Sequence, residues 1–252
     1  MSELPVEKTV AVILAAGKGV RMESDLPKVL HPLAGRPLVN WVSGAVAKAG
    51  VSRIIAVTGY GADQVEAALQ DGVESVRQET QLGTGHALLC ARDSIRRTTP
   101  DYLFVLCGDA PLIRASTLRA LLGSLVADDA SAVILTFNAD NGHRYGRIVR
   151  DADGGVLRIV EHKDATPDEL TIREANSGTY AFKADVALDL LDSLKNDNKQ
   201  GEYYLTDLIE LMIASGHRVS ATLTESVLEA SGVNTPDQLQ RLEKALLSEP
   251  KE

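Results

Sequence analysis

The chain contains few cysteines, few aromatic residues and no long hydrophobic segment. Its 252 residues include 2 cysteines and 4% aromatic residues. Cys90 and Cys107 form no Cys-x-x-Cys pair, so neither a disulfide framework nor a thiolate zinc site is expected. The uncharged apolar run at 10–17 is far shorter than the roughly 18–20 residues that span a bilayer. Residues 1–8 lack the apolar core of a signal peptide, so we predict a cytoplasmic protein without membrane contact.

Basic residues are fewer than acidic residues. There are 26 Lys and Arg against 35 Asp and Glu, which gives a formal net charge of -9. Nucleic-acid surfaces need clustered cations, so no nucleic-acid partner is expected. A local basic pocket can still hold a small anion inside an acidic protein. Hydrophobic residues make up 44% and charged residues 24%, which is typical of a globular protein.

Short β-branched runs alternate with longer amphipathic runs in the first half of the chain. Strands are predicted at 10–14, 53–57, 73–77, 102–106 and 132–137, and helices at 37–49, 63–69, 85–95 and 118–126. This alternation predicts the α/β class, with a mostly parallel sheet and helices on both of its faces. The length fits one or two domains, and we predict a single domain over residues 1–252.

The pattern changes after residue 138. A hairpin is predicted from strands at 146–150 and 156–160, because the sequence DADGG lies between them. A strand at 178–182, helices at 184–194 and 205–215, and a strand at 218–222 follow. We therefore predict an inserted, more antiparallel subregion over about 138–180. Pro236 suits the first turn of a C-terminal helix, which we place within 235–252.

The segment LAAGKGVRM at 14–22 directly follows the first predicted strand. Open parallel sheets bind ligands at this edge, and small residues let backbone N–H groups approach a phosphate. The segment is not a P-loop, because Gly-x4-Gly-Lys-Ser/Thr is absent, and Met22 replaces the third glycine of a dinucleotide fingerprint. Arg21 and Lys28 add two cations that suit a triphosphate. For this segment alone, a solvated loop with two surface cations remains an alternative.

Several further segments complete a pattern. They are LAAGKGVRMESDLPK at 14–28, QETQLGTGHA at 78–87, LCGDAPL at 106–112, YGRI at 145–148, EHKDA at 161–165, NSG at 176–178, QGEYYLTD at 200–207 and GVN at 232–234. In this order they resemble the sugar-1-phosphate nucleotidyltransferases. Within that family they are most similar to the uridyltransferase half of the bacterial bifunctional N-acetylglucosamine-1-phosphate uridyltransferase/glucosamine-1-phosphate acetyltransferases.

The resemblance implies a Rossmann-like, GT-A-like fold with a smaller antiparallel sugar-binding subregion, and it assigns roles to residues. The nucleotide-binding residues would be Leu14, Ala15, Ala16, Gly17, Gly19, Arg21, Lys28, Gln78, Gln81, Gly83, Gly108 and Asp109. The sugar-binding residues would be Thr84, Gly146, Glu161, Asn176 and Asn234. Arg21, Lys28 and Asp109 would be catalytic. Asp109 and Asn234 would hold Mg²⁺, which prefers oxygen ligands.

Each of these residues has a plainer structural interpretation. Asp109 could be the N-cap of a following helix, and Asn234 could cap the C-terminal helix. Gln78 and Gln81 carry amides that suit the imide edge of uracil, but they could also belong to a polar loop. The alternatives for the sugar-binding residues are a capping Thr84, turn residues at Gly146 and Asn176, and a surface Glu161.

Three positions depart from the family pattern. Val20 stands where threonine is usual, Cys107 where tyrosine is common, and Lys199 where a small residue is more typical. The loss of a hydroxyl at Val20 should matter little, because backbone donors and Arg21 remain. Cys107 could alter packing near the nucleotide, and Lys199 would add a positive charge to a loop near the sugar site.

The resemblance implies that the chain makes UDP-N-acetylglucosamine and pyrophosphate from UTP and N-acetylglucosamine 1-phosphate, by Mg²⁺-assisted in-line attack. One alternative is the same chemistry with glucose 1-phosphate and UTP or dTTP. Another is a non-catalytic nucleotide-sugar sensor. The family's hexapeptide repeats are absent from these 252 residues. We therefore expect no acetyltransferase activity in this sequence, and a monomer or weak homodimer.

Overall fold

The alternation of strands and helices predicted from the sequence is present throughout the first half of the chain. The computed structural model describes residues 4–140 and 143–248. The strands are β1 (Thr9–Ala15), β2 (Pro32–Leu33), β3 (Arg36–Pro37), β4 (Arg53–Thr58), β5 (Val73–Arg77), β6 (Tyr102–Cys107), β7 (Ala132–Asn138), β8 (Arg147–Arg150), β9 (Val156–Val160), β10 (Glu174–Lys183) and β11 (Val219–Thr224). The helices are α1 (Leu38–Lys48), α2 (Ala62–Ala68), α3 (Thr84–Arg96), α4 (Ala115–Ala127), α5 (Ala184–Leu190), α6 (Asp207–Ala214), α7 (Val227–Ala230) and α8 (Pro236–Ser248).

One large sheet forms the centre of the fold, with the strand order β11-β7-β10-β6-β1-β4-β5. β1 pairs in parallel with both β4 and β6, β4 with β5, and β7 with β11. β10 is antiparallel to β6 and β7, between which it lies. The α/β class with a mostly parallel sheet is therefore confirmed.

The apolar run of β1 is continuous because both faces of the sheet are covered. Val10 and Val12 belong to one buried cluster with residues of α3, α5 and α6. Ala11 and Ile13 point to the opposite face and belong to a second cluster with residues of α1 and α4. Every side chain of a parallel strand that is buried on both faces contacts apolar neighbours, and this explains why the sequence of β1 is almost entirely apolar. Among the described residues, no helix is both long enough and apolar enough to cross a lipid bilayer.

The carboxyl ends of β1 and β6 bring two of the predicted motifs side by side. In the parallel register, Leu14 is the partner of Cys107. One residue further on, the N–H of Gly108 donates to the carbonyl of Leu14 over 2.9 Å. The glycine-rich turn and Asp109 therefore leave the sheet next to each other.

A smaller antiparallel group extends from this edge. β8 pairs with β9 and, through Arg147 and Ala175, with the start of β10. The pairing of β10 with β7 shifts register between Asn176 and Tyr180. At this irregularity Gly178 has a φ of +78°, and a Cβ there would lie 2.6 Å from the Sγ of Cys107. Backbone conformation and lack of space thus both favour glycine at this position.

Several element boundaries differ from the sequence-based prediction. β10 begins at Glu174 rather than near 178, and α4 begins at Ala115 rather than 118. The helix predicted to end at 194 ends at Leu190 and continues as a 3-10 turn. The C-terminal helix predicted within 235–252 is described as far as Ser248, and 249–252 lie outside the described residues.

Two short elements were not predicted. β2 and β3 form a hairpin whose turn residues, Ala34 and Gly35, both have positive φ, +48° and +79°. The one-turn helix α7 lies between β11 and α8. Short elements of this kind leave almost no periodic signal in a sequence.

α8 packs over the hairpin and the glycine-rich turn. A third apolar cluster contains Met22, Leu33, Leu38, Val233 and Leu242. Met22 directly follows Arg21, and Val233 directly precedes Asn234, so this cluster holds the backbone of two predicted site residues. The N–H of Ala34 also donates to Glu243 on α8 over 3.1 Å. The C-terminal helix is thus tied to the site through apolar packing.

We expect Leu242→Ala to destabilise the fold by about 2–5 kcal/mol, because it leaves a cavity in this cluster. Leu242 is 4% exposed, whereas Leu247 on the same helix is 73% exposed. Leu247→Ala is therefore the matched control, with an expected change within about 0.5 kcal/mol. Urea unfolding of both variants measures the difference. Equal effects of the two substitutions would show that α8 does not stabilise the fold through Leu242.

Candidate functional site

A cavity of about 670 Å³ opens at the carboxyl edge of the sheet. Eight of the residues predicted for the site line it: Leu14, Arg21, Thr84, Asp109, Gly146, Glu161, Asn176 and Asn234. They come from β1, from the loops after β1 and β6, from the start of α3, from the antiparallel group and from the segment before α8. The structure therefore brings together residues that lie up to 220 positions apart along the chain.

The other predicted residues do not line this cavity. They are Ala15, Ala16, Gly17, Gly19, Lys28, Gln78, Gln81, Gly83 and Gly108. Lys28 contacts two of the lining residues, Asp109 and Asn234. Gln78 lines a separate recess of about 320 Å³ formed with residues of the loop after β4.

Two cations and two oxygen-bearing side chains meet at one end of the cavity. The ammonium of Lys28 forms a salt bridge with the Oδ2 of Asp109 and lies 3.3 Å from the Oδ1 of Asn234. Arg21 donates to the same Oδ1 over 2.9 Å. The backbone N–H of Val233 donates to the carbonyl of Asp109 over 2.8 Å, which joins the two segments. We call these four side chains the Lys28 cluster.

Neither Asp109 nor Asn234 has the capping role considered for it. α4 begins at Ala115, six residues after Asp109. The hydroxyl of Thr235 accepts a hydrogen bond from the N–H of Gln238 over 3.2 Å, as an N-cap does. The side-chain oxygen of Asn234 instead accepts from Arg21 and Lys28. Both side chains are therefore directed into the cluster.

The donor set of the Lys28 cluster fits a hard divalent cation. Asp109 offers a carboxylate and Asn234 an amide oxygen, and both already converge on the positive charge of Lys28. Mg²⁺ commonly uses one or two protein oxygens and keeps water or phosphate oxygens as its other ligands. The described residues contain no group of three or more His, Cys, Asp and Glu side chains that could hold a metal alone.

The position of Lys28 explains why residue 19 is a glycine. Gly19 has a φ of +69°, and a Cβ there would lie 2.5 Å from the Cβ of Lys28. A side chain at this position would push the lysine stem out of place. The glycine-rich turn thus both curves the backbone and makes room for the stem of Lys28.

The predicted base-recognition segment is held rigidly. The Nε2 of Gln78 donates to the carbonyl of Gly83 over 3.0 Å and lies 2.9 Å from the Nδ1 of His86. The Nε2 of Gln81 donates to the carbonyl of Gln78 over 3.0 Å. Gln81 also packs beside Gly59, where a Cβ would lie 2.8 Å from its Nε2. The amide of Gln78 therefore shapes this loop, a role the sequence did not indicate.

Asn176 is fixed by its neighbours at the floor of the cavity. Its Nδ2 donates to the hydroxyl of Tyr180 over 2.6 Å, and its Oδ1 accepts from the N–H of Gly178 over 3.0 Å. One N–H and one lone pair of the amide remain available. Thr84 is not a cap: its hydroxyl accepts from the N–H of Leu205 over 3.0 Å, which ties the start of α3 to the loop before α6.

Glu161 is not a simple surface residue. Its Oε1 accepts a hydrogen bond from Thr206 over 3.2 Å, and burial raises the pKa of its carboxyl. Burial also raises the pKa of the Tyr145 hydroxyl, and Tyr145 lines the same cavity. The cavity therefore has polar groups in a partly dehydrated setting, where hydrogen bonds discriminate strongly.

Two arginines near the site were not singled out from the sequence. Arg147 is 1% exposed and donates to the carbonyls of His143 and Tyr145 over 2.8 and 2.6 Å, so it holds the loop before β8. Arg144 is exposed and lines the cavity. The signal was present in HRYGR at 143–147, where two arginines flank the quoted Tyr-Gly pair.

The three departures from the family pattern have different consequences. The thiol of Cys107 lines the cavity, and burial raises its pKa to about 12, which argues against a nucleophilic role. Val20 is exposed. The ammonium of Lys199 donates to the carbonyl of Lys163 over 2.7 Å, so it braces a loop and does not line the cavity.

The mostly parallel sheet with a glycine-rich turn at its carboxyl edge has the arrangement of an α/β nucleotide-binding domain. Residues 11–174 match the MobA-like NTP transferase domain, and the chain belongs to this family.

Curated relatives extend the match beyond that segment. Bifunctional protein GlmU of Pelotomaculum thermopropionicum is 46% identical over 236 residues, which cover 94% of this chain and 51% of the relative. The proteins of the same name from a Geobacillus species and from Geobacter sulfurreducens are 47% and 44% identical, with coverage of 95% of this chain and 52% and 50% of each relative. The chain spans about half the length of these curated relatives. The family resemblance of the sequence motifs is thereby confirmed.

We expect Asp207→Asn to stabilise the fold at pH 7.5. Burial, together with the nearby carboxylates of Glu210 and Glu161, raises the pKa of Asp207 to about 6. Because this pKa lies above the ordinary value of 3.8, the folded wild type loses stability as the pH rises from about 4 through 6. The asparagine removes this loss, and its partial exposure limits the gain to about 1 kcal/mol.

Urea unfolding between pH 4 and 7.5 measures this dependence. The gain should shrink as the pH falls from about 6 and disappear only below the ordinary pKa of 3.8, where the carboxyl is protonated in both states. Asp185→Asn, in the first turn of α5 and exposed, is the control and should show no such pH-dependent gain. A gain that is constant with pH would mean that charge at Asp207 is not its cause.

Proposed function

We propose that the chain transfers a uridylyl group from UTP to N-acetylglucosamine 1-phosphate, giving UDP-N-acetylglucosamine and pyrophosphate. One observation carries this proposal: the Lys28 cluster and the polar groups of Thr84, Glu161 and Asn176 line or adjoin a single cavity. The cluster offers charge to phosphates, and Thr84, Glu161 and Asn176 offer hydrogen-bonding groups to a sugar. The match to the NTP transferase family and the resemblance of the ordered motifs support the same reaction.

The proposed reaction needs positioning and charge more than acid–base chemistry. A phosphate oxygen of the sugar phosphate attacks the α-phosphorus of UTP in line, that P–O bond forms, and the bond to the leaving pyrophosphate breaks. The attacking phosphate is already an anion near neutral pH, so no general base is required. Arg21 and Lys28 offset the charge that develops on the phosphate oxygens.

Mg²⁺ is part of the proposal, held by Asp109 and Asn234. When bound, it supplies further positive charge to the triphosphate. Arg21 lies within hydrogen-bond distance of Asn234, and Lys28 lies within hydrogen-bond distance of both Asp109 and Asn234. The residues that would hold the cation are therefore the same residues that contact the two basic side chains.

Sugar selection would come from Glu161 and Asn176. The amide of Asn176 is held by Gly178 and Tyr180, so it presents its remaining donor and acceptor in a fixed direction. Such a site disfavours a sugar that leaves these partly buried groups unpaired.

A monomer or weak homodimer in the cytoplasm, with no nucleic-acid partner, completes the proposal.

We expect pyrophosphate release with Mg²⁺, UTP and N-acetylglucosamine 1-phosphate, and little release with glucosamine 1-phosphate or glucose 1-phosphate. The reason is the pairing of Asn176 with the acetamido group. A coupled pyrophosphate assay with each sugar phosphate, and with dTTP in place of UTP, measures it. Preference for glucose 1-phosphate would keep the chemistry and overturn the sugar. No release by a folded chain that binds UTP would favour the sensor.

We expect Asp109→Ala to reduce turnover by about 10²-fold or more, because it removes the carboxylate that orients Lys28 and holds the proposed cation. Asp101→Ala is a matched control, since Asp101 precedes β6 at the far edge of the sheet and pairs with Lys8 over 2.9 Å. Steady-state rates and circular dichroism compare the two. Wild-type turnover in a folded Asp109→Ala variant would contradict this role.

A further inference from the structure

The side chain of Lys28 reaches across the site to two residues remote in sequence. It forms a salt bridge with the Oδ2 of Asp109, 81 positions away, and approaches the Oδ1 of Asn234, 206 positions away. The side chains of Lys28 and Asp109 are only 18% and 11% exposed. Partial exclusion of water strengthens the attraction between the two charges. The contact is therefore a substantial interaction within the site.

The stem of Lys28 is guided into this position by the glycine-rich turn. Gly19 leaves the space that the lysine Cβ, Cγ and Cδ occupy, since a Cβ at Gly19 would lie 2.5–3.0 Å from these atoms. On the other side of the cluster, Gly232 leaves room for the carboxylate of Asp109, where a Cβ would lie 3.0 Å from its Oδ2. Both partners of the salt bridge are thus placed by glycine backbones.

The amide oxygen of Asn234 has no spare capacity in this arrangement. A carbonyl oxygen has two lone pairs, and here it accepts from Arg21 over 2.9 Å and from Lys28 over 3.3 Å. The Oδ2 of Asp109 is also engaged by Lys28. A divalent cation that binds the Oδ1 of Asn234 must displace Arg21 or Lys28 from it, and a cation that also binds the carboxylate of Asp109 lies beside the lysine ammonium and is repelled by it.

We propose that Lys28 is an internal competitor of the divalent cation, occupying the oxygens of Asp109 and Asn234 until a triphosphate draws its ammonium away. This inference rests on the proposed metal site. Lysine is suited to the exchange, because its ammonium is a point charge on a flexible stem. Metal binding without nucleotide should therefore be weak.

The exchange also couples the metal to the nucleotide. A triphosphate that attracts Lys28 releases the two oxygens, and a metal that occupies them releases Lys28 to the phosphates. Because coupling between binding sites is reciprocal, each ligand strengthens the binding of the other by the same factor. The site would thus admit the metal and the triphosphate together.

Mn²⁺ binding without nucleotide tests the competition directly. We expect Lys28→Met to bind Mn²⁺ about tenfold or more tightly than wild type, since it removes the competing charge but keeps an unbranched stem beside Gly19. Lys18→Met is the matched control. Lys18 lies next to Gly19 in the glycine-rich turn, is exposed, and has its ammonium 5.1 Å from the ring centroid of Tyr60. It should bind Mn²⁺ like wild type. Electron paramagnetic resonance of free Mn²⁺ gives each dissociation constant.

A double variant identifies where the ion binds. The tight binding of Lys28→Met should be lost in Lys28→Met/Asp109→Asn. If Lys28→Met binds Mn²⁺ no more tightly than wild type, the competition is overturned, while pyrophosphate release by the wild type can still support the proposed reaction. If tight binding persists in the double variant, Mn²⁺ lies elsewhere, and the competition and the proposed metal site both fail. Circular dichroism confirms that each variant is folded.

Discussion

The parallel pairing of β1 with β6 is the constraint on which the rest of the site depends. Each strand ends in small residues, and the N–H of Gly108 closes the pair by donating to the carbonyl of Leu14 over 2.9 Å. This places the glycine-rich turn beside Asp109. The backbone of Asp109 then accepts from Val233 over 2.8 Å, which brings in the segment before α8. A shift in this register would separate the cations from the carboxylate.

The sequence predicts the parallel half of the fold well, because strands buried on both faces are continuously apolar and alternate with amphipathic helices. It predicts the antiparallel part less completely. β10 lies between β6 and β7, runs against both, and changes register between Asn176 and Tyr180. Such a path depends on contacts between distant segments, such as Cys107 with Gly178, which no local pattern reports.

For the site, local sequence left two interpretations of Asp109 and Asn234 open, because the same side chains serve as helix caps and as ligands. The structure excludes the capping role for both side chains. α4 starts six residues after Asp109, and Thr235 caps the helix that follows Asn234. The motif resemblance placed these residues together but could not indicate the internal contacts of Lys28 or the buried Arg147. Those contacts exist only once strands remote in sequence have paired.

The charge balance of the Lys28 cluster explains how an acidic chain can offer a site to a polyanion. The whole sequence carries a formal net charge of -9. Within the cluster, the two cations Arg21 and Lys28 face a single carboxylate, and Asn234 supplies an oxygen without a charge. A second carboxylate in place of Asn234 would neutralise the cluster and remove its attraction for phosphate. An amide keeps the oxygen and leaves a net positive charge, which a partly enclosed cavity focuses on the ligand. The composition of the cluster, rather than that of the chain, thus sets the charge next to the cavity.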